Sequence, residues 1–189
     1  YRRIMPFIMD EKSGVYYENF PFAIARILLN TGPKPEAPAI TLGGYDIGQT
    51  TSIPLEKGQM IINYVSTPQS NTYKRIPFID VYSNNFSAYG SPESLFKDKV
   101  VLIGPSASSF LDNWLTPTSG KKFMNGIEIH ANAIQTILDR AFLRNLTPFE
   151  QYGLIFLLCL VSVFVFMYTK IRWSLLYLVV VPTCYFFAA

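Results

Sequence analysis

A single histidine, two cysteines and almost no surplus of either charge are what this 189-residue chain offers to chemistry. Each shortage closes a class of function. One imidazole, His130, cannot build a multi-histidine metal centre, and Glu128, two residues earlier, falls on another side of a helix. Cys159 and Cys184 both lie inside long apolar runs, which leaves the rest of the chain without a disulfide or a thiolate metal site. Residues 1–150 carry 14 Lys or Arg against 13 Asp or Glu, so no basic face exists to track phosphates, and nucleic acid is excluded as a partner. Gly43-Gly44 is followed by neither a helix nor Lys-Ser/Thr and reads as a hairpin turn, not a phosphate loop. No metal and no cofactor is expected.

What the chain does have begins at Gln151. From Gln151 to Thr169 run 19 residues without a charge, and Trp173 to Ala189 adds 17 more after Lys170-Ile171-Arg172. A helix rises about 1.5 Å per residue, so roughly 20 apolar residues cross a bilayer core of ~30 Å. The expectation is a folded domain over residues 1–148, a transmembrane helix over 149–169, a cytoplasmic turn over 170–172 and a second transmembrane helix over 173–189. Lys170 and Arg172 favour a cytoplasmic turn, which places the domain outside; Arg140 and Arg144 nearly balance that count on the other flank. The chain opens at Tyr1-Arg2-Arg3 without an initiator Met or a signal-like segment, as expected of a piece of a longer protein.

Within the domain, Arg3–Met9 and Val15–Tyr17 read as strands around a turn at Asp10–Gly14. Asn19 caps a helix over Phe20–Leu29 with Pro21 in its first turn and Phe22, Ala25, Ile27, Leu28 and Leu29 on a broad apolar side. Thr31–Ala39, with three prolines, is a loop. Ile40–Leu42, Thr50–Leu55 and Met60–Val65 read as strands separated by Gly43-Gly44 and Glu56-Lys57-Gly58. Ser66–Tyr73 is predicted as a polar surface loop. Ile76–Tyr82 fits either a short helix or a strand entry, and Ser91-Pro92 starts a helical turn. Lys99–Gly104 is the clearest strand, its four large apolar residues predicting burial on both faces as in a parallel sheet. Gly126–Arg140 is an amphipathic helix with Ile127, Ala131, Ile134, Ile137, Leu138 and Ala141 on one stripe. Thr147-Pro148 caps the first membrane helix. The predicted class is therefore α/β: a mixed, partly parallel sheet with helices packed on it, followed by two transmembrane helices.

The polar groups able to carry a site lie between Gly104 and Asn132. Gly104-Pro105-Ser106-Ala107-Ser108 follows the predicted buried strand, where open α/β sheets place ligands. A nucleophilic reading has Ser106 attack, His130 act as base and Asp112 orient it, but the second glycine of a nucleophile elbow is absent because position 108 is Ser. The plainer reading makes Ser106, Ser108 and Ser109 a turn and gives no catalytic residue. In it His130 and Asn132 satisfy backbone groups near a helix start, with Asp112 as acceptor and Thr116-Pro117 as a rigid turn. The candidate network, for ligand binding or for structure, is Gly104, Ser106, Asp112, Thr116, Glu128, His130 and Asn132.

The order Lys99–Gly104, Ser106, Asp112, Thr116-Pro117 and Gly126-Ile127-Glu128-Ile129-His130-Ala131-Asn132-Ala133-Ile134 resembles the second CHASE-type family (cyclases/histidine kinases associated sensory extracellular). Phe20–Leu29, Met60–Tyr64 and Ile76-Pro77 fit the same pattern, as does the apolar run straight after the domain. The likeness covers residues 1–148 and is most specific in its last third, and the family's usual N-terminal portion with its own first span is missing. The resemblance implies an extracytoplasmic sensor in a bacterial cytoplasmic membrane, recognising an undefined ligand or protein and working as a homodimer. It also implies a cytoplasmic output: a class III adenylate cyclase first, with a histidine kinase, a diguanylate cyclase or a Ser/Thr kinase as alternatives. An envelope hydrolase using Ser106, His130 and Asp112 is the rival from another class, and a ligand-free dimerising module is a third.

Overall fold

The computed structural model describes residues 3–29, 40–41, 44–47, 51–68, 70–106, 112–168, 173, 177–181 and 183. The chain divides into two compact units, Tyr1–Arg144 and Asn145–Ala189.

The first unit is a mixed α/β body with small sheets. Strands β1 (Arg3–Ile4) and β2 (Phe7–Met9) open it, and β2 turns back through Asp10–Gly14 onto β3 (Tyr16–Glu18). Gly14 takes φ 67°, a left-handed conformation that glycine adopts without a Cβ penalty. Helix α1 (Phe20–Leu28) starts at Asn19, and Pro21 occupies its first turn, where the missing N–H costs nothing. Asn19 makes no side-chain cap. Only Pro21, Phe22 and Ala25 of α1 are buried, while Ile27 is 68% exposed, so the helix uses a narrower face than its composition predicts.

Next come β4 (Ile40–Thr41), β5 (Gly44–Ile47) and β6 (Thr51–Pro54), an antiparallel three-stranded sheet. The sequence reading missed β5, having used Gly44 as a turn residue; Tyr45 and Ile47 alternate inward from it and are almost fully buried. Lys57 and Gly58, both at positive φ, turn the chain into β7 (Met60–Ile61), which pairs with β1. Helices α2 (Phe78–Tyr82) and α3 (Pro92–Phe96) follow, and the hydroxyl of Ser91 caps α3 by accepting from Ser94 N at 3.3 Å. The segment at 76–82 thus resolves as helix after Pro77.

Strands β8 (Asn113–Trp114) and β9 (Met124–Asn125) pair before α4 (Gly126–Leu138), which packs on α1. Phe7, Phe22, Tyr45, Ile53, Met60, Met124, Ile129, Ala133 and Ile137 form the core between them. Tyr45 receives Phe7 and Phe22 edge-on at 5.1 and 6.0 Å and donates its hydroxyl to Glu18. Glu18, buried, is also held by Arg26 at 3.0 Å. Burial first, then the Glu18 charge, pushes the Tyr45 phenol far up, which keeps it a donor.

Two expectations are overturned. Residues 100–106 form no strand, and Val101 and Ile103 are 52% and 77% exposed. A strand buried on both faces needs neighbours on both edges, and no described strand offers one; every strand pairing among the described residues is antiparallel. The buried rows of α4 are also rotated from the predicted stripe. Ile134 and Ile137 of that stripe are buried, but Ile127, Ala131, Leu138 and Ala141 are only half-buried, and Ile129 and Ala133 face the core beside a polar row of Asn132 and Thr136.

The second unit holds α5 (Pro148–Tyr168), long and apolar enough to cross a membrane and without a buried residue. It opens with a capping box: Thr147 N donates to Glu150 Oε2 at 2.7 Å, and Glu150 N donates back to Thr147 Oγ1 at 3.3 Å. Most of the predicted second span lies outside the described residues, as do the turn at 170–172, the loop at 31–39, Ser108 and Ser109. Within this unit Tyr177 meets Ser162 at 3.0 Å and Phe166 edge-on at 6.3 Å.

Candidate functional site: the polar strap on helix α4

After β7 residues 62–67 belong to no strand, and side chains of α4 answer backbone polar groups of residues 63–66 instead. Asn132 and Thr136, one turn apart, present amide and hydroxyl to the passing segment. Asn132 Oδ1 accepts from Val65 N at 3.1 Å, Ser66 N at 3.3 Å and Ser66 Oγ at 3.2 Å. Its amide nitrogen donates to Ser66 Oγ at 2.9 Å and to the Glu128 carbonyl at 2.8 Å. Thr136 Oγ1 accepts from Asn63 N at 3.1 Å, and Asn63 Nδ2 donates to the Ala141 carbonyl at 3.2 Å. The Ser66 carbonyl takes the Thr118 hydroxyl at 3.0 Å. A buried amide or hydroxyl without such a partner costs about 1–3 kcal/mol, so this strap fixes residues 63–66 against the helix.

Thr118 belongs to a turn that the candidate Thr116 closes: Thr116 N donates to Ser119 Oγ at 2.9 Å, and the two hydroxyls lie 2.6 Å apart. The helix start is equally constrained. Asp112 accepts Trp114 Nε1 at 3.0 Å and, through its carbonyl, Gly126 N at 3.0 Å. Its carboxylate fills the space where a side chain on residue 126 would begin, which only glycine leaves open. A Cβ on Gly104 would stand 2.8 Å from Ile127 Cβ, so Gly104 lets the 100–106 segment approach α4. Glu128 is buried in the first turn, where the helix dipole favours an acid, and pairs with Arg75 at 2.9 Å. Its second oxygen, Oε2, is buried without a hydrogen-bond partner.

His130 faces the other way. Its ring meets Phe20 of α1 edge-on at 5.4 Å, and its Nδ1 is buried without a partner. A catalytic triad requires Nδ1–H to donate to the carboxylate; that bond to Asp112 is not made. Ser106 is exposed, and among the described residues no hydrogen bond joins it to His130 or Asp112. The expected backbone role falls to Asn132 alone. No cluster of potential metal ligands occurs among the described residues.

The ordered run from Gly104 through Asp112 and Thr116 to Asn132 is therefore one connected framework around the start of α4. A family profile, the CHASE2 domain, matches residues 1–166. The chain belongs to the CHASE2 family. Comparison with curated proteins and with solved structures gives no match. CHASE2 domains are sensory extracellular domains of signalling proteins, which suits a framework that holds a helix in place.

Sequence reasoning missed Ser66, Tyr73, Arg75 and Thr136 in this CHASE2 site. Thr136 had a signal: it lies four residues after Asn132, and two polar residues at helical spacing on a buried face need a common partner. Arg75, 53 residues from Glu128 in sequence, had none.

Asn132→Ala strands at least two buried donors, and unfolding of the full chain in nanodiscs should show a loss of roughly 3 kcal/mol. Gln135→Ala, on the exposed side, should change stability by less than about 0.5 kcal/mol. Equal effects would remove the strap from the account. Burial holds the His130 imidazole below its ordinary value of 6.5, with the Asp112 charge opposing. The unfolded chain then takes up a proton near 6.5 that the native state takes up only at lower pH. This contribution is full above pH ~6.5 and declines as pH falls through it. Wild type should therefore lose more stability between about pH 7 and pH 5 than His130→Gln does; parallel curves would count against a buried neutral imidazole.

Proposed function

We propose that this CHASE2 chain is the extracytoplasmic input module of a membrane-bound signalling protein, residues 1–148 facing outward and the apolar runs 149–169 and 173–189 crossing the cytoplasmic membrane as a hairpin. The partners are the lipid bilayer, an extracytoplasmic ligand or protein, and a second copy in a homodimer. The output is a cytoplasmic class III adenylate cyclase, or alternatively a histidine kinase, a diguanylate cyclase or a Ser/Thr kinase.

The observation that carries this reading is the path from strap to span. Helix α4 is held by polar contacts that a bound ligand can rearrange, and its exit is tied back where Leu143 bridges Ile61 of β7. The capped span begins at Pro148. Residues 144–147 remain between the tie and the span, and four residues reach at most about 14 Å. A shift of α4 therefore has little slack to be lost in before it reaches α5. Driving a receptor from 1:99 to 99:1 takes about 5.5 kcal/mol of differential binding, the scale of a few buried hydrogen bonds. The hydrolase reading loses ground because Ser106 and His130 are not joined.

Two outcomes test the proposal. With Cys159 and Cys184 changed to Ser, a Ser87→Cys variant should react with a membrane-impermeant maleimide in intact cells; protection until lysis would place the domain inside. Inserting four glycines between Leu146 and Thr147 of the full receptor should cut the stimulated output by about tenfold or more while leaving the domain folded. An undiminished response would refute mechanical coupling through this connector.

A further inference from the structure

Beside the strap, Ser70, Asn71, Tyr73, Lys74 and Arg75 line a cavity of ≈ 310 Å³, at the lower end of the size of small-molecule sites. Its lining has two cations and no carboxylate. We propose that this cavity binds a small oxyanion, of the carboxylate or phosphate class, and that Arg75 carries its occupancy to α4; the coupling half of this rests on the sensor reading above.

Three observations lead there. Lys74 Nζ gives one hydrogen bond, to the Tyr89 carbonyl at 2.6 Å, and an ammonium has three protons to give. That contact also holds the side chain in place. Arg75 is about two-fifths exposed and reaches inward with Nη2 to Glu128 Oε1 at 2.9 Å; a guanidinium fork has five donors and can hold a second carboxylate or a phosphate on another edge. Tyr73 adds a hydroxyl whose ionisation burial pushes up to about 12; at neutral pH it keeps its one proton, which rests on a long 3.5 Å bond to Asn132 Oδ1 and can turn to an anion instead. The site thus offers an ammonium, a guanidinium and a phenolic O–H, with the Asn71 amide at its exposed side.

The same residues connect the cavity to the framework. Tyr73 OH lies 3.5 Å from Asn132 Oδ1, at the centre of the strap. Glu128, buried and with Oε2 unpartnered, forms its one ion pair among the described residues with Arg75. An anion on Arg75 competes with Glu128 for the guanidinium, and a buried carboxylate whose cation is drawn away becomes costly to hold. The first turn of α4 feels that change directly. Occupancy therefore acts on the helix that leads to the span.

The test is calorimetric titration of the full chain in zwitterionic nanodiscs with succinate and with inorganic phosphate, chloride holding ionic strength constant. At least one of the two should bind saturably, and Lys74→Ala and Asn71→Asp should each weaken it by about tenfold or more. Both positions are exposed, so folding is preserved if Arg75 variants fail to fold; Ser87→Ala should bind as wild type. Loss of the titration in phosphatidylglycerol nanodiscs would support the site and name a lipid headgroup as its occupant. No saturable heat up to about 10 mM, or binding indifferent to Lys74→Ala, would overturn the proposal. That failure would leave maleimide labelling of Ser87→Cys, and with it the sensor reading, untouched. A cytoplasmic domain would equally leave a measured anion affinity standing.

Discussion

A chain segment that runs beside a helix without joining a sheet has backbone N–H and C=O groups that no ladder satisfies, and the first unit depends on how that problem is solved at residues 63–66. Side chains of Asn132 and Thr136 take the place of a neighbouring strand. The solution makes α4 and the segment after β7 a single piece. It also places a buried amide at the centre of the domain, where each lost contact strands a polar group in surroundings that cannot solvate it.

Much of the remaining order follows from that piece. The Thr116–Ser119 turn docks on Ser66, Asp112 packs into the space left by Gly126, and Arg75 crosses to Glu128. The apolar core lies on the adjacent face of the same helix, where Ile129, Ala133 and Ile137 meet Phe22 and Ala25 among the core residues. One helix thus carries a core face and a polar face side by side. Polar contacts of this kind have strict distance and angle requirements, so the polar face fixes the position of α4 against residues 63–66 as well as holding it there.

The strand at 100–103 failed as an expectation for an instructive reason. Val100-Val101-Leu102-Ile103 has the composition of a strand covered on both faces, but composition states a preference and cannot supply neighbours. The reverse error occurred at β5, where Gly44 looked like turn material while Tyr45 and Ile47 are almost fully buried. In both places local residue type was a poor guide because pairing is settled by residues distant in sequence.

By itself the sequence determined the features whose physics is local. These are the charge-free run that makes up most of α5, the Thr147-Pro148 start, the prolines and glycines that open and turn elements, and the ordered motif of the CHASE2 family. Each depends on neighbours within a few residues, so spacing alone reports it. Tertiary structure decided which face of α4 is buried, which atoms Asn132 answers, and that Arg75 belongs to Glu128. It also separated His130 from Asp112 as a hydrogen-bonding pair. Those outcomes depend on which distant groups arrive at the same few ångströms, and desolvation, which makes an unmatched partner costly, acts only once the chain has closed around them.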